Sequence, residues 1–291
     1  MRVNPVLRKE LVTTVRTPKI IASLIIYNAV IMLITLLVYY SNFGEVDRYS
    51  YNMYQSGIYI FTAISVLEMA LITFSVPSQT ASTISGEREK QTLDILLSTT
   101  MKPFQIVIGK LMSSMALTLL LFFSSIPVMA IVFSVGGIQV SAIWQLVIMA
   151  FTTAIYFGSI GLYFSCKTRK TSTATVLSMA IVILILIGTF VFIGAVELLR
   201  VLFFNATGEI GLWLLVLLIN PIMTGMDMMS YQYGASSGMG SMFGYSGLPE
   251  FISEYWFAIS IIVQLLLAVF FIWRATKSLD RIRLKNIKMK K

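Results

Sequence analysis

The chain of 291 residues is 57% hydrophobic and only 12% charged, with a mean hydropathy of +0.84 and a formal net charge of +9. A water-soluble domain carries about 25% charged residues, so this balance excludes that class and points to a polytopic membrane protein. A single cysteine, Cys166, rules out an internal disulfide framework, and the absence of histidine removes the commonest residue of zinc and acid–base chemistry.

In chain order, NPVLRKELVTTVRTPK comes first and places Leu7, Leu11 and Val15 four residues apart, with Arg8, Lys9 and Arg16 away from that face. This predicts an interfacial elbow helix over 1–18, separated by Pro18 from a first span at 20–40. That run is too long for a signal-peptide core and lacks a small-residue cleavage site after it, so it is read as an anchor. Further apolar runs at 57–76, 111–135, 142–166, 175–195 and 256–273 approach the roughly 20 residues that a helix needs to cross the hydrocarbon core. None shows the short alternation of an outer-membrane barrel. The expected fold is all-α, with six transmembrane helices. The segment 210–226 is short and carries Asn220-Pro221, where a spanning helix needs continuous hydrogen bonding. It reads as a re-entrant helix within an exterior region, 196–255.

Charge sets the expected orientation. Of the 22 lysines and arginines, all but Arg48 and Arg200 fall on the N-terminus, the second-to-third connection, the fourth-to-fifth connection or the tail, 274–291. Basic residues accumulate on cytoplasmic loops, so both termini are expected to be cytoplasmic. The positive net charge then matches anionic lipid headgroups, each charge gaining about 1 kcal/mol near the surface, and no nucleic-acid motif accompanies it.

The second-to-third connection contains SGEREKQTLDILLSTT, with five charges between Glu87 and Asp94. Read as one helix over 85–100, it puts Glu87, Gln91 and Asp94 on one stripe and Leu93, Leu96 and Leu97 on the other side. The periodicity alone fits a solvated connector as well as a docking surface. Glu68 is the only acidic residue well inside a predicted span. A charge there costs about 2.5 kcal/mol or more unless it faces protein, water or a counter-ion. It reads either as a substrate-path or gating group or as a structural one bonded to hydroxyls such as Ser65 or Thr73. The segment MTGMDMMSYQYGASSGMGSMFGYSG reads as a flexible exterior loop; Cu(I) binding by its methionines is the alternative, with no cysteine or histidine to join them. The Gly109-Lys110 pair is followed by Leu111 rather than Ser or Thr, so no phosphate-cradling loop is present.

These motifs, in this order, resemble the ABC transporter type 2 permeases. Lys9-Glu10-Leu11 is similar to the core of that family's leading helix. Glu87-Arg88-Glu89, Thr92-Leu93-Asp94, Leu96-Leu97 and Ser98-Thr99 resemble its cytoplasmic coupling helix, and Gly109-Lys110 and Asn220-Pro221 its later landmarks. Gln91 departs from the pattern, standing where a glycine often precedes the threonine, and the usual proline appears later, at Pro103. The resemblance implies a permease subunit of an exporter in a bacterial plasma membrane, paired with a second permease copy or homologue. Its power would come from a cytoplasmic ABC ATPase that binds ATP and Mg, with no cofactor in this chain. It also implies a coupling surface formed by Glu87, Arg88, Glu89, Lys90, Gln91 and Asp94, with Lys167, Arg169 and Lys170 as second contact. The competing reading is a secondary transporter or channel that needs no ATPase and uses Glu68 as its intramembrane carboxylate. Neither an internal repeat nor paired broken helices support it.

Overall fold

A computed structural model of the protein describes residues 18–43, 51–98, 101–135, 137–204, 211–233 and 249–289. The predicted elbow with Leu7, Leu11 and Val15, and residues 234–248 of the exterior region, lie outside the described residues. Every regular element among those described is helical. Six helical stretches are long and apolar enough to cross a membrane, or seven if one sharply bent pair is a single span.

Helix α1, Pro18–Phe43, begins on a proline, whose missing N–H is no loss at a helix start. Helix α2, Tyr51–Glu89, is 39 residues long. At about 1.5 Å per residue it outruns a hydrocarbon core of about 30 Å and must protrude from it. The sequence reading ended this span at residue 76 and began a separate helix at 85; in the structure one continuous helix covers both positions, so no separate helix starts at 85. Pro77 lies inside α2, and Ser85-Gly86 is ordinary helix. The helix persists because the segment is packed in protein. Ser165 Oγ accepts from the Ile84 and Ser85 amides at 2.9 and 3.0 Å, and Thr80 Oγ1 donates to the carbonyls of Val76 and Pro77.

The chain then turns at Lys90-Gln91 into the short helix α3, Leu93–Leu97. Helix α4, Pro103–Ser124, has Pro103 in its first turn and Gln105 Oε1 bonded back to the Lys102 amide. A break at Ser125 leads into α5, Ile126–Val135, so the expected 111–135 span starts earlier and has a corner. Helix α6, Val140–Lys167, is the central column: 72% of its most apolar window is buried, against 17 to 44% for the other spans. Then come α7, Thr171–Ile183, a π-helical turn, Leu184–Gly188, and α8, Thr189–Phe204. A 3₁₀ segment, Gly211–Ile219, is bent by 104° against α9, Pro221–Gln232. The short α10, Glu250–Glu254, precedes α11, Trp256–Met289, which carries the last span onward as helix into the basic tail.

The largest contact is between α2 and α6, followed by α11 against α6. Gly158 and Gly161 allow the first. A Cβ on Gly161 would come within 2.6 Å of the Pro77 carbonyl oxygen, so only glycine lets these backbones approach.

Candidate functional site: a charged corner at one end of the bundle

Successive side chains on a helix point about 100° apart, so three in a row reach three different neighbours. Glu87, Arg88 and Glu89, at the end of α2, do this. Glu87 Oε1 takes the Lys110 ammonium of α4 at 3.2 Å, and its Oε2 accepts from Thr92 Oγ1 across the turn. Arg88 donates to the carbonyls of Thr168 and Cys166 at 2.6 and 3.0 Å. Those oxygens sit at the C-terminal end of α6, where the helix dipole favours a cation. Glu89 accepts from the amide and hydroxyl of Thr171 at 2.9 and 3.0 Å, placing a carboxylate on the first turn of α7 where it is equally favoured. A cation on one helix end and an anion on the next helix start thus clamp the α6–α7 link to α2.

The expected acidic stripe therefore does not exist. Glu87 faces inward to Lys110, which is 7% exposed, and Gln91 is not helical: its φ of 58° lies in the left-handed region. Glycine adopts that conformation without strain, which explains physically why a glycine suits this position. Of the coupling residues read from sequence, Lys90, Gln91, Asp94, Arg169 and Lys170 are exposed at this corner, and Lys167 lies over the Tyr163 ring. Helix α3 buries Leu93 and Leu97 and turns Ile95 outward at 70% exposure. Ile95 was missed because the single-helix reading assigned only Leu93, Leu96 and Leu97 to the apolar face and gave Ile95 no place.

Within the span of α2, Glu68 is completely buried. Its Oε1 accepts from Ser125 Oγ at the α4–α5 corner, not from Ser65 or Thr73, while Oε2 and the hydroxyls of Ser65 and Tyr27 have no hydrogen-bond partner among the described residues. From the level of Glu68 toward the charged corner, α2 lines an open groove of about 540 Å³ with residues from Leu67 and Ala70 to Ser75, Ser78 and Gln79, and Met179 of α7 forms its other wall. Gln79 donates to Ser75 Oγ at 2.6 Å and to Thr118 Oγ1 of α4 at 3.0 Å.

At the bent pair, Asn220 is fully buried. Its Oδ1 accepts from the Ile222 amide at 2.9 Å, capping α9, and Pro221 sits where no N–H is needed. Its Nδ2 donates to the Leu186 carbonyl at 3.0 Å and to Thr189 Oγ1 at 2.8 Å. Leu186 lies in the π-helical turn, so the widened helix and the bend are fastened to each other. Asp227, part of the segment read from the sequence as a flexible exterior loop, is buried on α9. The 3–4 spacing of Met223, Thr224, Asp227 and Met228 was the available signal, obscured by assigning these residues to a loop.

A family model described as ABC-2 family transporter protein matches residues 4–275. The chain belongs to the ABC-2 transporter family. As such it is a membrane permease component of an ABC transporter, and the charged corner, the groove and the Asn220 bend all fall within the matched region. No curated protein matches this ABC-2 family member at a significant level.

Proposed function

We propose that this chain is the membrane half of an ATP-driven exporter, moved by a separate ATPase that docks on the charged corner. The observation that carries the reading is the fastening by Glu87, Arg88 and Glu89. Force applied at α3 or the α6–α7 link passes through an ion pair and four hydrogen bonds into α2, α4, α6 and α7, so the corner moves as one body. On this reading Lys90, Gln91, Asp94, Arg169 and Lys170 form a wet polar rim around Ile95, the composition of a transient protein contact. ATP and Mg belong to the partner, both termini and the corner are cytoplasmic, and the Asn220 bend is a re-entrant turn.

The groove supports a second permease copy. Ser75, Ser78 and Gln79 line it within a membrane-spanning helix, where polar groups facing lipid are unfavourable, so a second copy across a water-lined path covers them. Purification of the tagged protein from its native membrane is expected to bring down an ATP-binding subunit. D94K together with I95E should release that subunit from a permease that stays folded. An active transporter recovered with no nucleotide-binding partner would instead support ion-coupled transport through Glu68.

A further inference from the structure

The last span carries three buried polar residues on one face. Trp256, Ser260 and Gln264 of α11 follow one another at four-residue steps, so neighbours lie one turn apart on the same side, and all three are 0% exposed. Each brings a polar atom that meets no hydrogen-bond partner among the described residues: Trp256 Nε1, Ser260 Oγ and Gln264 Oε1. This face looks onto α9. Gln264 Nε2 donates to Thr224 Oγ1 of α9 at 3.0 Å and to the Leu218 carbonyl at 3.3 Å, and at the other end of the seam Tyr231 Oη donates to the Glu254 carbonyl at 3.3 Å. The two helices therefore run antiparallel. Three residues along α9 from Thr224 and four back along α11 from Gln264, steps of roughly 4.5 and 6 Å, bring the fully buried Asp227 level with Ser260.

The seam is a polar strip inside an apolar span. Gln264 stands roughly 12 Å along the axis from Trp256, within the Trp256–Ile282 stretch that is apolar enough to cross a membrane. None of the three atoms is open to the surface, and lipid would offer them no hydrogen bond. Whatever completes them must accept from an indole N–H, donate to an amide oxygen and serve a hydroxyl between the two. A cation cannot accept from the indole, and a simple anion cannot donate to the amide oxygen. Water does both, and in buried sites it takes about three polar partners. We propose that the α9–α11 seam binds enclosed water, which accepts from Trp256 Nε1, bridges Ser260 Oγ and donates to Gln264 Oε1 and to the Asp227 carboxylate beside it. Between the Gln264 and Tyr231 contacts, the polar connection of α9 to the last span then runs through water.

The probe is water itself, read by X-ray radiolytic labelling, in which hydroxyl radicals formed from a bound water oxidise the side chains beside it. In wild-type protein in nanodiscs, Trp256 should be oxidised although it is fully buried. Phe157, equally buried on α6 among apolar neighbours, should stay unmodified. S260V removes the hydroxyl and fills the water's space, so it should lose the Trp256 oxidation, whereas S260A leaves the space open and should keep it. Protection of Phe157 and oxidation of the half-exposed Tyr255 should be the same in all three proteins, which a misfolded variant would not allow. Trp256 left unmodified in wild type at a dose that oxidises Tyr255 overturns the proposal, as does Trp256 oxidation that S260V leaves unchanged.

Discussion

Replacing Glu87 by glutamine should destabilise the protein more than replacing its partner Lys110 by methionine. Lys110 is 7% exposed and Glu87 30% exposed, so the two removals strand unequal charges. E87Q leaves a buried ammonium without this counter-charge. Breaking a fully buried pair costs about 3–5 kcal/mol, and water reaching the Glu87 side lowers the expected cost to about 2–3 kcal/mol. K110M leaves a carboxylate that water reaches and that still accepts from Thr92, while the methionine fills the stem's space, so about 1 kcal/mol is expected. The double variant should lie close to K110M, at about 1 kcal/mol, so the coupling equals the E87Q cost in size, about 2–3 kcal/mol. Reversible denaturation in mixed micelles, followed by tryptophan fluorescence, measures all four corners of the cycle. Costs that add within about 0.5 kcal/mol, or an E87Q cost below that of K110M, would show that the pair is not the internal fastening described above.

At the turn, Q91G should raise stability by up to about 1 kcal/mol in the same assay, because it removes left-handed strain of about 1–2 kcal/mol against glycine's greater entropy loss. Between the central helices, G161A should cost at least 2 kcal/mol, since its Cβ meets the Pro77 backbone at 2.6 Å. G158A should be milder, because its new Cβ meets only the side-chain ends of Leu111 and Val76, at 2.9 and 3.1 Å. At the bend, N220A should cost about 2–3 kcal/mol through one lost cap and two lost donor bonds. N220D should fail to rescue it, because the carboxylate keeps the cap but cannot donate to the Leu186 carbonyl; equal stability of N220D and wild type would refute that assignment.

The amino-acid sequence by itself determined the class of molecule. Runs of apolar residues long enough for a bilayer leave few alternatives to a helical bundle, because a chain in lipid must satisfy its backbone within each segment. Order and spacing of short motifs sufficed for the family, and the Asn220-Pro221 pair marked the bend because a capping asparagine followed by a proline without an N–H is a favoured helix start. Burial and pairing followed from tertiary structure alone. Hydropathy ended a span at residue 76, yet α2 runs on to Glu89 because Ser165, distant in sequence, accepts the amides of Ile84 and Ser85. The helical pattern put Glu87 on an outward stripe with Gln91 and Asp94, and the resemblance added Arg88 and Glu89 to a docking surface, whereas each of the three finds a partner on another helix: Lys110, the end of α6, or the start of α7. A helical wheel assigns directions around one axis but not what stands in each direction. That depends on how α2, α4, α6 and α7 pack, and close packing at Gly158 and Gly161 sets the distance at which these charges meet.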